Sequence, residues 1–208
     1  MHLLSSSFVH VQRIPSEFAF CAPDPTQHAR MSGNRNPHLR WTGVPSTAKS
    51  LVLLCVDVDV PTRADDVNQE GRSVPADLPR TSFWHWVLVD IPPSVSEIPA
   101  GSASEGITAR GKREPSGPKG SRQGLNDYTL WFAGDQDMAG EYFGYDGPCP
   151  PWNDTLLHHY QFSLYAIDLA RCPVDGAFTG QQVKDAIARH VLAEATLTGT
   201  YSLNPAVK

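Results

Sequence analysis

The chain has 208 residues, of which 40% are apolar, and its formal net charge is −5 at neutral pH. This length and apolar share are enough to bury a core, and we predict one domain over residues 1–208. The acidic balance argues against nucleic-acid binding, which needs a basic surface to replace phosphate counterions. No segment has the roughly 18 apolar residues that a membrane-spanning helix requires.

The first twenty residues lack both a basic start and a sustained apolar stretch, so they predict no secretory signal. The cytoplasm is therefore the expected location. In that reducing compartment the four cysteines, Cys21, Cys55, Cys149 and Cys172, are expected to be unpaired thiols. Their wide spacing matches no zinc motif.

Eighteen prolines and sixteen glycines divide the chain into short segments, which is typical of a β-rich domain with few helices. We predict strands over residues 11–20 and 51–60, and a brief pairing at residues 39–41. The strand over 51–60 ends in Asp57 and Asp59, which alternation turns to one face. The polar, proline-rich residues 61–80 predict an exposed excursion.

Residues 83–91, FWHWVLVDI, predict a central strand that is buried on both faces and carries His85 into the core. Strict alternation places Phe83, His85, Val87 and Val89 on one face, and Trp84, Trp86 and Leu88 on the other. Residues 100–127 predict a mobile surface loop. Its basic residues either keep the loop solvated or capture an anion or a partner; they are Lys112, Arg113, Lys119 and Arg122.

The last third of the chain predicts three strands and a helix. A short strand is expected over residues 126–132, and a rigid turn over 144–152 leads into a strand over 158–169. On that strand His158, Tyr160, Phe162 and Leu164 share a face. Residues 180–195 predict the helix, with Thr179 as N-cap and Gln182 completing a capping box. Residues 196–203 predict an edge strand or a tail.

Several polar side chains lie on or beside the predicted buried strands: Asp57, Asp59, His85, His158, His159 and Tyr160. If the three central strands adjoin, Asp57, His85 and His158 converge at one end. The cluster then fits a metal site, a hydrolase with Cys149 as nucleophile, or an anion site made of imidazole N–H groups and backbone amides near Gly147. A fourth interpretation is that both histidines are hydrogen-bonded core residues.

Six motifs in order give the chain a resemblance to the phosphatidylethanolamine-binding protein family, also called the Raf kinase inhibitor protein family, and to its bacterial branch. They are NPHLRWTGVP (36–45), DVDVPTR (57–63), FWHWVLVDIP (83–92), GYDGPCPP (144–151), HHYQFSLYAID (158–168) and HVLAEATLTGTYS (190–202). The resemblance implies a mainly β fold, in which a large central sheet packs against a smaller one with few peripheral helices, including one near the C-terminus.

The resemblance also implies a small anion pocket and no catalytic activity, metal or cofactor. Matched by position, the pocket residues are Asp57, His85, Gly147, Pro148, His158 and Tyr160, with Asp59 and Pro61 shaping the rim. The implied ligands are phosphate-like groups, including phospholipid heads, and some members inhibit a kinase or a serine protease. Exposed loops also allow a homodimer.

Two departures from the family pattern affect the pocket. DVDVP lacks a proline between its two acids, and His159 stands where many eukaryotic members have arginine. An anion beside Asp57 is unfavourable unless that carboxylate orients a histidine. We therefore expect Asp57 to hold an imidazole as a donor toward the ligand.

Overall fold

Eleven strands and two helices make up the computed structural model, which describes residues 1–207. The strands are β1 (His2–Leu4), β2 (Gln12–Arg13), β3 (Cys21–Asp24), β4 (His28–Met31), β5 (Leu39–Thr42), β6 (Ser50–Pro61), β7 (Arg80–Ile91), β8 (Glu97–Ile98), β9 (Arg122–Gln123), β10 (His158–Ile167) and β11 (Val191–Tyr201). The helices are α1 (Tyr128–Trp131) and α2 (Gly180–Ile187). Within residues 1–207, no helix has the length and apolar content needed to cross a bilayer.

The large sheet has the strand order β2, β11, β10, β6, β7, β9, and only the β2–β11 pair is parallel. The three long apolar strands β10, β6 and β7 lie side by side at its centre. Asp57 on β6 is opposite Tyr160 on one side and Phe83 on the other. The acid at the strand end therefore lies between the two strands that carry His85 and His158.

Two layers cover the large sheet. The smaller sheet, β1–β5–β8, packs on one face, where Leu39 and Trp41 share a core cluster with Trp86 and Phe162. Helix α2 covers the opposite face through Val183 and Ile187, which join the cluster of Val52 and Val87. The predicted mainly β fold, with a large sheet packed against a smaller one, is confirmed.

A β-bulge at His85 breaks the expected alternation of β7. Cys55 pairs with Trp86, yet the next residue of β6, Val56, pairs with Trp84, so His85 has no partner on β6. As a result Trp84 and Trp86 belong to core clusters on opposite faces of the sheet, and their predicted common face is wrong. A bulge of this kind re-aims one side chain, and here that side chain is the imidazole.

The C-terminal helix is shorter than predicted. Thr179 caps it as expected, because its side chain accepts from the N–H of Gln182 and the Gln182 side chain accepts from the N–H of Thr179. However, α2 ends at Ile187, and the residues expected to continue it form β11, which pairs with β10 along its whole length. Cross-strand pairing outweighs the helical spacing of Val191.

The strand predicted over residues 126–132 is instead the single helical turn α1. The Asn126 side-chain oxygen accepts from the N–H of Tyr128 at 3.1 Å, and the N–H of Phe132 donates to the carbonyl of Tyr128. An asparagine that binds the backbone two residues ahead starts a turn, which competes with a strand.

Cys21 and Cys149 form a disulfide, so the expectation of four free thiols is wrong. The two segments are also joined by the backbone, because the N–H groups of Phe20 and Cys21 both donate to the carbonyl of Pro148. Cys55 and Cys172 are free and buried. A bond between residues 128 positions apart leaves no local spacing pattern from which to predict it.

Candidate functional site

A cavity of about 310 Å³ opens beside the ends of β6, β7 and β10. Five of the predicted site residues line it: Asp57, Pro61, His85, His158 and Tyr160. The other three, Asp59, Gly147 and Pro148, are not part of the lining. The central strands therefore bring together the acid, the two imidazoles and the phenol.

Asp57 and His158 form a buried ion pair at the inner end of the cavity. Asp57 Oδ2 lies 2.7 Å from His158 Nδ1, and Asp57 Oδ1 accepts from the backbone N–H of Asp59 at 2.9 Å. The second ring nitrogen of His158, Nε2, lies 3.1 Å from the carboxylate of Asp154. Since carboxylates only accept, both nitrogens of His158 donate and the ring is an imidazolium.

The two carboxylates stabilise that charge. Burial alone would lower the pKa of His158, but the charge of Asp57 and the hydrogen bonds that His158 donates to Asp154 and Asp57 outweigh it and raise the pKa to about 9. Asp57 thus orients an imidazole, as expected from the sequence. With both nitrogens engaged, however, His158 has no N–H left to donate to a ligand.

Two further pairs surround this ion pair. Arg80 binds the carboxylate of Asp154 through two of its nitrogens. Asp59 accepts from the backbone and the ring of His159, at 2.7 and 2.8 Å. Asp57, His158, Asp154 and Arg80 therefore form a chain of alternating charge with no net charge. The sequence missed Asp154 and Arg80, since neither lies in a motif that carries the resemblance.

His85 has one ring nitrogen free for a ligand. Its Nδ1 lies 2.7 Å from the backbone carbonyl of Asp146, which only accepts, so Nδ1 carries the proton. Burial lowers the pKa of His85, although Asp57 and the Asp146 carbonyl oppose that effect. The ring is therefore neutral near pH 7, and Nε2 holds a lone pair toward the cavity, where His85 is part of the lining.

A buried polar network fixes the carbonyl that orients His85. The Asp146 carboxylate accepts from Lys112 at 2.6 Å, Asn34 at 2.7 Å and Asn126 at 2.8 Å. Lys112 is thus part of a buried ion pair. Two roles were predicted for it, a solvated side chain and an anion ligand, and neither matches this contact. Asp146 was not among the predicted site residues. Its place as the acid of the motif GYDGP is the sequence signal that could have identified it.

Tyr160 supplies a free donor. Its hydroxyl is buried, and among residues 1–207 no group meets it in hydrogen-bonding geometry, although the Asp57 carboxylate lies close by and contributes to its raised pKa. Burial, reinforced by the charge of Asp57, raises the pKa of Tyr160 well above its usual value, so the hydroxyl keeps its proton. A buried donor without a partner is costly, which makes it a candidate contact for a ligand.

The backbone amide at Gly147 is not open to an anion. It donates to the side-chain oxygen of Asn34 at 2.8 Å, and the Gly147 carbonyl accepts from the hydroxyl of Tyr128. A side chain at Gly147 would collide with the backbone carbonyl of Phe18. This glycine therefore permits close packing behind the cavity, and the next residue, Pro148, receives the backbone bonds beside the disulfide.

The excursion over residues 62–79 forms one wall of the cavity, through Ala64, Val67 and Asn68. Asn153 holds this loop in place. Its side-chain oxygen accepts from the N–H of Asn68, and its amide nitrogen lies within hydrogen-bond distance of three loop carbonyls, those of Asp66, Gln69 and Arg72.

Among residues 1–207, Arg30 on β4 is the one arginine or lysine in the cavity lining. Its neighbours Ala29 and Met31 also line the cavity, and strand alternation turns Arg30 to the opposite face. The donors available to an anion are therefore the Tyr160 hydroxyl, the side-chain amide of Asn68, and His85 once its Nε2 takes a proton.

Two of the chemical alternatives find no matching arrangement. Among residues 1–207, no three His, Cys, Asp or Glu side chains are grouped to hold a metal ion. Cys149, the nucleophile of the hydrolase alternative, is bonded to Cys21. The cavity lining also includes a neutral imidazole, His85, and a protonated phenol, Tyr160, which suit hydrogen bonding to a ligand.

Sequence comparison agrees with the motifs. The model of the phosphatidylethanolamine-binding protein family matches residues 4–202. A protein of Methanothermobacter thermautotrophicus is 32% identical over 201 residues, which are 97% of this chain and 98% of that protein. The protein YbcL of Escherichia coli K12 is 30% identical over 172 residues, 82% of this chain and 73% of that protein.

Structure comparison gives the same result. The crystal structure of E. coli YbcL, described as a new member of the mammalian PEBP family, has a TM-score of 0.69 and 27% identity over 97% of both chains. A putative phosphatidylethanolamine-binding protein homologue from Chlamydia trachomatis has a TM-score of 0.60 and 26% identity, over 97% of this chain and 96% of that one. The resemblance inferred from the motifs is confirmed.

Proposed function

The chain belongs to the phosphatidylethanolamine-binding protein family, and from that membership we propose that it is a non-catalytic binding protein whose cavity holds a small phosphate-like anion. The observation that carries the proposal is the buried Tyr160 hydroxyl, which keeps its proton and has no partner among residues 1–207. An oxyanion at this end of the cavity would accept from it.

The charge of the site determines how an anion binds. Asp57 is compensated by His158 and by the Asp59 N–H, so it repels an anion less than a free carboxylate would. The chain of pairs is neutral overall, and Arg30, the one lysine or arginine in the cavity lining among residues 1–207, is turned away by strand alternation. His85 becomes a cation when Nε2 takes a proton, and a bound anion favours this protonated form.

Anion binding should therefore take up a proton. Because burial keeps the pKa of His85 below its usual value in the free protein, affinity should rise as the pH falls toward that pKa, by up to about tenfold per pH unit. Sulfate is the suitable probe, since it remains a dianion throughout this range. Calorimetric titration of sulfate between pH 8 and pH 6 measures the change.

His85→Gln provides the control, because glutamine is neutral at every pH. We expect weaker sulfate binding and a flat pH dependence in this variant, with thermal melting to verify that it is folded. Titrations in two buffers of different ionisation enthalpy count the protons taken up by the wild type. A steep pH dependence that persists in His85→Gln would assign the proton to another group and contradict the proposal.

The alternative function is inhibition of a kinase or serine protease through surface contacts. It is favoured by Arg113 and Lys119, which are exposed on the loop over residues 100–127. If this function holds, replacing both with glutamate should abolish capture of such an enzyme in a pull-down, and His85→Gln should leave capture intact. The reverse pattern would tie capture to the cavity.

We also propose that the protein resides in an oxidising compartment. The cytoplasmic expectation implied reduced thiols, whereas Cys21 and Cys149 are bonded and disulfides persist mainly where the surroundings are oxidising. Fractionation of the native cells with an antibody tests the location. Recovery with the cytoplasmic markers would support the original expectation instead.

A further inference from the structure

The cavity is larger than a tetrahedral oxyanion requires. Its volume of about 310 Å³ is at the lower end of the range for sites that enclose whole organic ligands, roughly 300–1,000 Å³. If the oxyanion occupies the end beside Tyr160 and His85, most of the volume remains for another part of the ligand.

The rest of the cavity is mainly apolar. Five aromatic rings, which we call the aromatic wall, belong to its lining: Phe20, Phe83, Tyr128, Trp131 and Phe132. Val60, Pro61 and Val67 complete an apolar lining. A charged or strongly hydrated substituent would lose its water here without finding polar partners in return.

Most rings in this wall are fixed by one another. Tyr128 stacks on Phe20 with the ring centroids 4.6 Å apart and on Phe132 at 5.6 Å. Its hydroxyl donates to the carbonyl of Gly147 at 2.8 Å, so Tyr128 presents its ring to the cavity while its polar group is occupied. The wall is thus preorganised to receive an apolar group.

Trp131 differs from the other four rings. It is 53% exposed at the edge of the cavity, and within residues 1–207 no aromatic ring stacks on it. Its indole face is therefore open to a ligand. Its neighbour on α1, Leu130, is 76% exposed and does not line the cavity.

We propose that the ligand is a phosphate monoester with a compact apolar substituent, preferably aromatic, whose phosphate binds Tyr160 and His85 and whose substituent packs against the aromatic wall and Trp131. This inference rests on the proposed function of the same cavity. It goes further in naming the chemical class of the group attached to the phosphate.

The test compares three soluble probes by calorimetry at one pH. Phenyl phosphate should bind at least about tenfold more tightly than inorganic phosphate, because the ring buries apolar area in the cavity. Ethanolamine phosphate, with a charged substituent, should not exceed inorganic phosphate. The ratio of the phenyl phosphate and phosphate affinities is the quantity that the variants should change.

Trp131→Ala should lower that ratio by about tenfold, whereas Leu130→Ala, the exposed neighbour, should leave it unchanged. If none of the probes binds, the proposed function itself fails. If phosphate binds but phenyl phosphate binds no more tightly, or if both variants behave alike, this inference fails and the proposed function stands.

Vesicle binding distinguishes a lipid headgroup from a soluble ester as the source of the phosphate. The protein is incubated with vesicles of phosphatidylcholine with and without phosphatidylethanolamine, and sedimentation measures the bound fraction. No difference between the two kinds of vesicle, together with the phenyl phosphate preference, supports a soluble ester. Retention that needs phosphatidylethanolamine, without that preference, would assign the cavity to a lipid head and overturn the proposal.

Discussion

His158→Ala is expected to lower the free energy of unfolding by roughly 3–5 kcal/mol at pH 7, which is the usual cost of leaving a buried charge without its partner. His158 is fully buried and contacts two carboxylates, those of Asp57 and Asp154. Asp154 keeps Arg80 after the substitution, but Asp57 loses the one cation that it contacts among residues 1–207. Urea unfolding of both proteins measures the difference.

The same pair should make stability depend on pH. The pKa of His158 is raised from 6.5 to about 9, so its stabilisation is fully present below pH 6.5 and is lost as the pH rises toward 9. A shift of this size corresponds to roughly 3 kcal/mol. The wild type should therefore become less stable as the pH rises over this interval. In His158→Ala most of this decrease in stability should be absent.

His159→Ala is the matched control. His159 is the next residue on β10, and its pair with Asp59 is partly exposed, so its loss should cost less than about 1 kcal/mol. An equal cost for the two alanine variants would contradict the assignment of a buried ion pair. Because His158→Ala acts through stability, ligand binding to that variant tests the pocket less cleanly than binding to His85→Gln.

Removing the disulfide should have an effect of similar size. Replacing Cys21 and Cys149 with alanine is expected to cost about 3–5 kcal/mol, since the bond closes a loop between residues 128 positions apart and restricts the unfolded chain. Thermal or urea unfolding measures the loss. Dithiothreitol should destabilise the wild type and leave the double variant unchanged.

Thiol counting tests the bond directly. Alkylation of the denatured, unreduced protein should modify two cysteines, Cys55 and Cys172, and reduction should raise the count to four. Mass spectrometry reads both numbers. Four modified cysteines without a reductant would restore the original expectation of free thiols.

The sequence predicted the central strands well because their signals are local. A continuous apolar run that ends in two carboxylates marks β6, and β-branched and aromatic residues mark β7. Side chains at the ends of adjoining strands must then lie near one another, which places Asp57, His85 and His158 in one cluster. Tyr160 follows from the same strand as His158, and the family resemblance added Pro148 and the rim position of Pro61.

The hydrogen-bond partners of those residues could not be predicted from the sequence. The bulge at His85 depends on how β6 and β7 pair, and no residue type marks it. Asp154 and Arg80 reach His158 from separate segments, so only the fold shows that both nitrogens of this histidine are engaged. The position of the proton on His85 likewise depends on the distant carbonyl of Asp146.

The helix predicted over residues 180–195 failed for a related reason. Its first half is determined by the capping box at Thr179, a local feature that the sequence shows directly. Its second half is determined by the open edge of β10, to which Val191–Tyr201 adds a strand. Pairing across the sheet is a tertiary influence that overrides helical spacing.

The role of Asn153 has a consequence for how the cavity wall is encoded. One amide side chain holds the loop over residues 62–79 through its backbone, by three carbonyls and one N–H. Backbone groups are present whatever the loop's side chains are. The conformation of the loop therefore depends largely on Asn153, a residue outside the loop. A substitution of a loop side chain that lines the cavity, such as Val67, can then alter ligand preference while the backbone contacts to Asn153 remain.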